Sequence, residues 1–295
     1  MRRPRLVATD LDGTLLDPEG QVSPFTRSVL ERLWAAGIDT LFVTARPPRW
    51  LDELADAVGG HGHAICANGA LLYDVAAREI VAARLLDLDV VVDLAADLRR
   101  RIPGIGFAIE HPGGIHLESE YGAVHPAMLP ENPSRGPLAR AGVAGVAKLL
   151  ARVPGSDRVE GVGPLGSLGG TAQESTFVTE VRAVVGERAV VSYSGAAGLA
   201  EIGPVGVSKA SALAEWCASR GIDAEDVWAF GDMPNDIPML RWAGRSFAVT
   251  GGPAQVREAA TDSCGSNAAD GVARVLLPLV EDSAGQAAGQ APMRP

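Results

Sequence analysis

Two aspartates separated by one residue stand near the start of the chain, directly after a short apolar run. Residues 6–10 are predicted to form a strand, so Asp10 lies at its carboxyl end, where open α/β sheets carry their chemistry. Asp12 falls on the following turn, which Gly13 loosens. One such carboxylate can act as a nucleophile while the other transfers protons, provided that a metal offsets their repulsion. The pair therefore predicts metal-assisted chemistry at a sheet edge.

Thr44 and Lys209 stand at positions that suit the binding of an anion. Thr44 ends a strand predicted over residues 38–44, so its hydroxyl can donate to a phosphate oxygen at the same sheet edge. Lys209 lies in the first turn of a predicted helix, where a lysine opposes the helix dipole and a nearby anion would explain it. Since Lys148 and Lys209 are the only lysines in the chain, the position of Lys209 calls for a reason.

The stretch from Gly231 to Asp236 follows a further apolar strand, predicted over residues 227–231. Asp232 and Asp236 supply two more carboxylates at this strand end, and Asn235 supplies an amide. Oxygen ligands presented from a loop suit Mg²⁺, which keeps several waters and uses few protein carboxylates. All these polar groups fall at the ends of core strands or at the start of a core helix, so the pattern predicts a single site.

The elements that position these residues alternate between strand and helix in the first eighty residues and again near the end. Ser23-Pro24 begins a predicted helix that Gly37 ends, and Pro47-Pro48 begins a second helix predicted to reach about Val58. Apolar runs at residues 189–193 and 199–202 are assigned to the same sheet as strands. This alternation predicts an α/β fold with a doubly wound, Rossmann-like parallel-sheet core.

The middle of the chain has a different pattern, which predicts an inserted domain. Residues 84–187 combine helical and strand signals with a glycine-rich loop over 156–170 and are expected to form an α+β cap. The catalytic core would then comprise residues 1–83 and 188–281. Residues 282–295 consist largely of Ala, Gly, Gln and Pro without periodicity and are predicted to be a disordered tail.

Composition narrows the classes of function. The 295 residues carry a formal net charge of −10 and are 47% hydrophobic, which favours two packed domains and argues against nucleic-acid or membrane partners. A phosphorylated substrate stays compatible, because a bound cation reverses the local field. Three scattered cysteines indicate reduced thiols, and no signal peptide or spanning run is evident, so a cytoplasmic protein is expected. The oligomeric state is not predicted.

These motifs together resemble the haloacid dehalogenase-like (HAD) phosphohydrolase superfamily, and within it the Cof-type subfamily, whose IIB-type cap is inserted between the second and third motifs. The residues that match, in motif order, are Asp10 and Asp12, then Thr44, then Lys209, and finally Gly231-Asp232 with Asn235-Asp236. The second motif reads Thr44-Ala45-Arg46, where the family usually has Thr-Gly-Arg. The resemblance extends to about residue 281.

The resemblance implies a Mg²⁺-dependent hydrolase of small phosphomonoesters, such as sugar phosphates or phosphorylated cofactors. Asp10 would attack phosphorus and form an aspartyl-phosphate, while Asp12 would protonate the leaving oxygen and then activate water. The implied metal-site residues are Asp10, Asp12 through its backbone carbonyl, Asp232, and Asp236, which orients a metal-bound water. The implied substrate- and phosphate-binding residues are Thr44, Ala45, Arg46, Lys209 and Asn235.

Two other functions stay open at this point. A phosphomutase would share the aspartyl-phosphate but need a second phosphate site in the cap, for which the candidates are Arg135, Arg140, Arg152 and Arg158. A non-catalytic phosphate-binding protein would be expected to lack a catalytic carboxylate, and none is missing. The cap residues considered for substrate choice are His111, His116, Glu118, Arg135 and Arg152.

Overall fold

The computed structural model describes residues 2–52, 54, 62–124, 126, 129–153, 176–195 and 198–288, with side chains described as far as residue 281. Its strands form two sheets, one of eight strands and one of six. The predicted glycine-rich loop at 156–170 and Arg158 lie outside the described residues.

The strands and helices are numbered in chain order. The strands are β1 (Leu6–Thr9), β2 (Asp39–Val43), β3 (His63–Cys66), β4 (Leu71–Asp74), β5 (Glu79–Ala83), β6 (Gly106–His111), β7 (Gly114–Leu117), β8 (Ser134–Arg135), β9 (Lys148–Arg152), β10 (Val190–Ser192), β11 (Leu199–Gly203), β12 (Val227–Gly231), β13 (Arg245–Val249) and β14 (Asp262–Cys264). The helices are α1 (Pro24–Ala35), α2 (Leu88–Arg101), α3 (Thr176–Val185), α4 (Lys209–Ala218), α5 (Ile237–Trp242), α6 (Ala254–Ala259) and α7 (Gly271–Ala288).

The larger sheet is the core predicted from the alternating pattern. Its spatial order is β14-β13-β12-β1-β2-β3-β4-β5, with parallel pairing from β14 to β3 and an antiparallel hairpin at β4 and β5. The central strands are apolar and buried on both faces, as parallel strands between helix layers must be. Helices α1 and α7 cover one face, and α4, α5 and α6 cover the other. The doubly wound α/β fold is confirmed.

The six-stranded sheet belongs to the inserted cap and has the order β10-β11-β9-β6-β7-β8. Its pairs are antiparallel except for β7 with β8. Residues such as Phe107 and Leu149 point from one face into a core shared with α2 and α3. The opposite face carries Leu150 and Glu201 toward the core domain.

The boundary of the cap differs from the prediction at its second crossing. Strands β10 and β11 pair with the cap strand β9, so residues 190–203 belong to the cap rather than to a core that resumes at residue 188. The apolar residues of these strands fit either sheet, and only the antiparallel pairing decides between them. The two crossing segments lie close together, since the Arg84 backbone N–H donates to Ala70 O (2.8 Å) and Gly69 packs on the Ser208 carbonyl.

Two further predictions are wrong in part. The tail predicted from residue 282 is helical as far as Ala288, because Ala and Gln extend a helix that has already been nucleated. The helix predicted over residues 47–58 begins as a single 3₁₀ turn, Pro48–Trp50, and most of the remaining residues lie outside those described.

In the described part of the chain, no helix combines the length and apolar character that a bilayer crossing requires. All three cysteines are buried with free thiols, as expected from their scattered positions.

Candidate active site

Asp10 and Lys209 form the centre of the site at the carboxyl ends of the core strands. Asp10 follows β1 directly, and Lys209 begins α4, whose N-terminus is capped by the Ser208 side chain. The Lys209 Nζ donates to Asp10 Oδ1 (2.7 Å) and to Asp236 Oδ1 (2.6 Å), and all three side chains are buried. The unusual lysine of the sequence is thus held by two carboxylates.

Asp12 lies on the wide turn Leu11–Leu15 and is bound by Arg46. The guanidinium donates through Nε to Asp12 Oδ2 (2.8 Å) and through Nη2 to Asp12 Oδ1 (2.6 Å). The Arg46 backbone N–H donates to Thr44 Oγ1 (3.0 Å), so the segment after β2 is ordered around this bidentate pair. Asp12 therefore faces the cavity with both of its carboxylate oxygens engaged.

Asp232 and Asp236 occupy the loop after β12. The Thr14 hydroxyl donates to Asp232 Oδ1 (2.7 Å), while the backbone N–H groups of Asp232 and Met233 donate to Asp236 Oδ2 (3.0 and 2.9 Å). Both oxygens of Asp236 are engaged, one by Lys209 and one by this loop. Its carboxylate orders the loop and orients the lysine.

Gly13 leaves room for the Asp232 carboxylate. The glycine has φ +76°, and a Cβ at this position would lie 2.4 Å from Asp232 Oδ2. A side chain at residue 13 would therefore both strain the turn and displace the carboxylate. The Asp12-Gly13 step is needed for the close approach of the β1 turn to the β12 loop.

Asn235 lines the cavity and contacts Asn68. Its Nδ2 donates to Asn68 Oδ1 (3.1 Å), and Asn68 Nδ2 in turn donates to Glu201 Oε2 (3.4 Å) from the cap. This sequence of donors fixes the amide orientation of Asn235. The Asn235 Oδ1 is buried and has no hydrogen-bond partner among the described residues.

Burial and neighbouring carboxylates shift the pKa values of the site. Burial raises the pKa of Asp10 well above its usual range; Lys209 opposes this shift, whereas Asp236 and Asp232 add to it. Burial, followed by the charge of Asp236, raises the pKa of Asp232 to about 7. Burial alone would lower the pKa of Lys209, but the charges of Asp10 and Asp236 raise it above its usual value. The charge of Lys209 is thus not enough to offset the burial and mutual repulsion of these carboxylates.

The residues present fit a divalent cation. Carboxylate oxygens of Asp10, Asp232 and Asp236 lie within 4.8 Å of one another. When all three carboxylates are ionised, they exceed the single ammonium of Lys209 by two negative charges. Asn235, which lines the cavity, has an unpartnered Oδ1, and an all-oxygen set suits a hard cation such as Mg²⁺.

The structure brings most of the predicted residues to one cavity. Its lining includes Asp10, Asp12, Ala45, Arg46, Lys209 and Asn235. Thr44 is fully buried behind Arg46 and is not part of that lining, although its hydroxyl shapes the segment. Asp232 and Asp236 lie beneath the cavity in contact with the residues that line it.

Two ion pairs that the sequence reasoning missed close the cavity from the cap side. Lys148 on β9 contacts Glu201 Oε1 closely and donates to Ala45 O (2.9 Å), which lies in the core. Arg49 of the core binds Glu110 on β6 through two hydrogen bonds (2.5 and 2.8 Å). The rarity of lysine, which drew attention to Lys209, applies equally to Lys148 and could have found it.

The cap residues considered for substrate choice have other roles in the structure. His116 bridges Ser134 and Gly136, Glu118 pairs with Arg99, and Arg152 donates to the carbonyls of Tyr121 and Ala123. His111 and Arg135 do not line the cavity either. None of the five side chains lines the core cavity, and those of His116, Glu118 and Arg152 stabilise the cap.

The fold and site together define an α/β protein with a cluster of buried carboxylates at the carboxyl ends of its parallel strands. A sequence profile of the haloacid dehalogenase-like hydrolase family matches residues 7–133 and 171–276. The chain belongs to this family, which confirms the resemblance drawn from its motifs.

Named relatives are similar over nearly the whole chain. The chain is 28% identical over 279 residues to the pyridoxal phosphate phosphatase YbhA of Escherichia coli, covering 92% of this chain and 97% of that protein. It is 29% identical over 249 residues to the HMP-PP phosphatase of an Enterobacter species, covering 83% of this chain and 84% of the relative.

Solved structures share the fold and the cap. SMU.1108c from Streptococcus mutans superposes with a TM-score of 0.77 at 20% identity, covering 94% of this chain and 99% of that one. The HAD subclass IIB sugar phosphatase BT4131 superposes with a TM-score of 0.72 at 20% identity, covering 93% and 98%. The superposition covers the inserted cap as well as the core, so the whole fold is shared.

Proposed function

We propose that this enzyme hydrolyses small phosphomonoesters, with Asp10 as the nucleophile and with Mg²⁺ bound at the carboxylate cluster. The observation that carries the proposal is the buried contact of Asp10 Oδ1 with Lys209 Nζ at the end of β1, beside Asp232 and Asp236. A carboxylate in this position has an open cavity on one side and fixed charges on the other. This arrangement suits in-line attack on a phosphoryl group.

The residues around Asp10 have different roles in phosphoryl transfer. Lys209 holds Asp10 in position and can bind a phosphoryl oxygen as negative charge builds up. Asp12 lies two residues away, at the cavity surface, and can protonate the leaving oxygen before it takes a proton from the attacking water. Arg46 holds Asp12 in its observed orientation, and a substrate phosphate at the cavity would compete with Asp12 for the guanidinium.

The metal would be held by the Asp10 and Asp232 carboxylates and by the backbone carbonyl of Asp12, with Asp236 behind them. When bound, Mg²⁺ would offset the excess negative charge and polarise the phosphoryl oxygens. Thr14 fixes the Asp232 carboxylate by its hydrogen bond, so the ligand set is ordered before the metal arrives.

The relatives narrow the substrate to a small phosphorylated metabolite. Two of them are phosphatases named for pyridoxal phosphate and HMP-PP, and one structure is that of a sugar phosphatase. Among the described residues that line the cavity, the arginines are Arg46 and Arg49, and both are bound to carboxylates. A phosphomutase would need such an arginine available for a second phosphate, which favours hydrolysis.

The test is the release of inorganic phosphate from p-nitrophenyl phosphate. We expect turnover with Mg²⁺, none after EDTA treatment, and recovery when Mg²⁺ is restored. Asp10→Asn should remove turnover while the protein keeps its thermal unfolding midpoint, whereas Asp89→Asn, an exposed aspartate on α2, should behave as the wild type. Full turnover by Asp10→Asn would exclude the aspartyl-phosphate route.

A further inference from the structure

The cavity has two chemically different ends. Its core end is formed by Asp10, Lys209 and Asn235, which would hold the phosphate and the metal. Its other end is formed by the face of the cap sheet that points away from α2 and α3. The cavity volume is about 180 Å³, so the cap face lies close to any group that the phosphate carries.

The cap end of the cavity is an apolar surface. Ile115 on β7, Leu150 on β9 and Leu199 on β11 line it together with Tyr121. These side chains also form one hydrophobic cluster, so they already pack against one another. A group carried by the phosphate must therefore lie against aliphatic and aromatic carbon over much of its surface.

The acidic groups at this end are already occupied. Both oxygens of Glu110 accept hydrogen bonds from Arg49, and the oxygens of Glu201 accept from Lys148 and Asn68. Burial would raise the pKa of Glu201, but Lys148 and the hydrogen bonds lower it, so the carboxylate is held ionised. Few acceptors at this end stay available for substrate hydroxyl groups.

Lys148 provides a donor at this end. Its ammonium has three N–H groups, and two are used by Ala45 O and Glu201. The third has no partner among the described residues, and the side chain lines the cavity. A single additional acceptor is what this ammonium can still bind.

We propose that the cavity takes the phosphomonoester of a planar aromatic or heteroaromatic ring, packed on Leu150 and Leu199, with an acceptor at the ring edge bound by Lys148. This inference rests on the proposed function. A sugar of similar size carries several hydroxyl groups that would lose their water without gaining partners, and each such loss costs about tenfold or more. A ring loses little on burial against carbon.

The first experiment compares kcat/KM for pyridoxal 5′-phosphate, glucose 6-phosphate and acetyl phosphate, the last of which has almost nothing to place against the cap. We expect pyridoxal 5′-phosphate to exceed glucose 6-phosphate at least about tenfold. A glucose 6-phosphate value equal or higher, with acetyl phosphate hydrolysed, would overturn the inference alone. If none of the three substrates is hydrolysed, the proposed function is overturned, and the inference with it.

The second experiment changes the apolar surface. Leu199→Asn should shift the kcat/KM ratio of the two larger substrates toward glucose 6-phosphate. Val191→Asn is the matched control, because Val191 is also half-buried on the cap sheet but packs on the helix side. An equal change of the ratio in both variants would mean that the effect is merely structural and would count against the inference.

The third experiment tests the lysine. The double variant Lys148→Met/Glu201→Gln removes both charges together, so that no buried charge is left alone. We expect kcat/KM for pyridoxal 5′-phosphate to fall about tenfold relative to that for phenyl phosphate, whose ring has no acceptor at its edge. An equal fall in kcat/KM for both substrates would contradict the binding of a ring-edge acceptor by Lys148.

Discussion

Lys209 carries the only positive charge in contact with the buried carboxylates of Asp10 and Asp236 among the described contacts of the site. Its rarity in the sequence and its place at a helix start were enough to predict that it binds an anion. The structure shows that the anions include two of the protein's own side chains. The lysine thus has a structural role, to which the proposed function adds phosphate binding at the same atom.

Lys209→Met should reduce both activity and stability. Loss of a donor at the phosphoryl group should lower kcat by about 10² to 10³. Two buried carboxylates would be left without their cation, which should cost about 3–5 kcal/mol in the free energy of unfolding measured with urea. Arg241→Met, an exposed basic residue on α5, is the control and should change neither quantity. A kcat within threefold of the wild type would contradict the assigned role.

At the residue scale, Lys148 is as rare in the sequence as Lys209. The chain has two lysines, and both are buried at the cavity. Lys148 lies on a cap strand without a recognisable motif, so the sequence around it does not predict its role. Its partner Glu201 lies far away in sequence, and only the pairing of β9 with β11 brings the two together. An ion pair between residues so far apart in sequence cannot be predicted from their spacing along the chain.

At the scale of elements, the turn after β1 determines how closely two loops approach. The turn Leu11–Leu15 carries Asp12 outward and lets the β12 loop lie against Gly13. The strands themselves were predictable, because buried parallel strands read as continuous apolar runs. The assignment of β10 and β11 was not, because antiparallel pairing depends on tertiary neighbours.

Gly13→Ala should impair metal binding more than it impairs folding. The new Cβ would meet Asp232 Oδ2, so the concentration of Mg²⁺ that gives half-maximal activity should rise. Gly37→Ala is a close control, since Gly37 has φ +75° and nothing within 4 Å of the Cβ position. Both variants should lose about 1–2 kcal/mol of stability from the left-handed backbone. An unchanged Mg²⁺ requirement in Gly13→Ala would contradict the close approach.

The pair of Lys148 and Glu201 should make stability depend on pH. The folded-state pKa of Glu201 is lowered from 4.5, so its contribution is present above pH 4.5 and is lost as the pH falls through the folded value. The wild type should therefore be more stable than Glu201→Gln at neutral pH, and this difference should shrink below about pH 4.5. Urea unfolding of both proteins across this range measures it. A difference that does not vary with pH would contradict the pairing.

At the scale of the whole molecule, two sheets enclose one site, and the charge of the core end favours a cation. Mg²⁺ that binds only the folded state should stabilise it by about 2.7 kcal/mol at a hundred times its Kd. Thermal unfolding with and without Mg²⁺ measures this gain, and Asp232→Asn should reduce it. An identical unfolding midpoint in the presence and absence of Mg²⁺ would contradict the metal site.

The two crossings between the domains meet at Gly69 and Ala70, where Arg84 leaves the core and Ser208 returns to it. An insertion whose ends lie side by side spans almost no distance across the core, so its length and content can vary at little entropic cost to the rest. The cap can thus change in sequence and length independently of the core. Over evolutionary time, such a chain can acquire new substrates through substitutions and insertions between Arg84 and Ser208, while the phosphate chemistry of the core is kept.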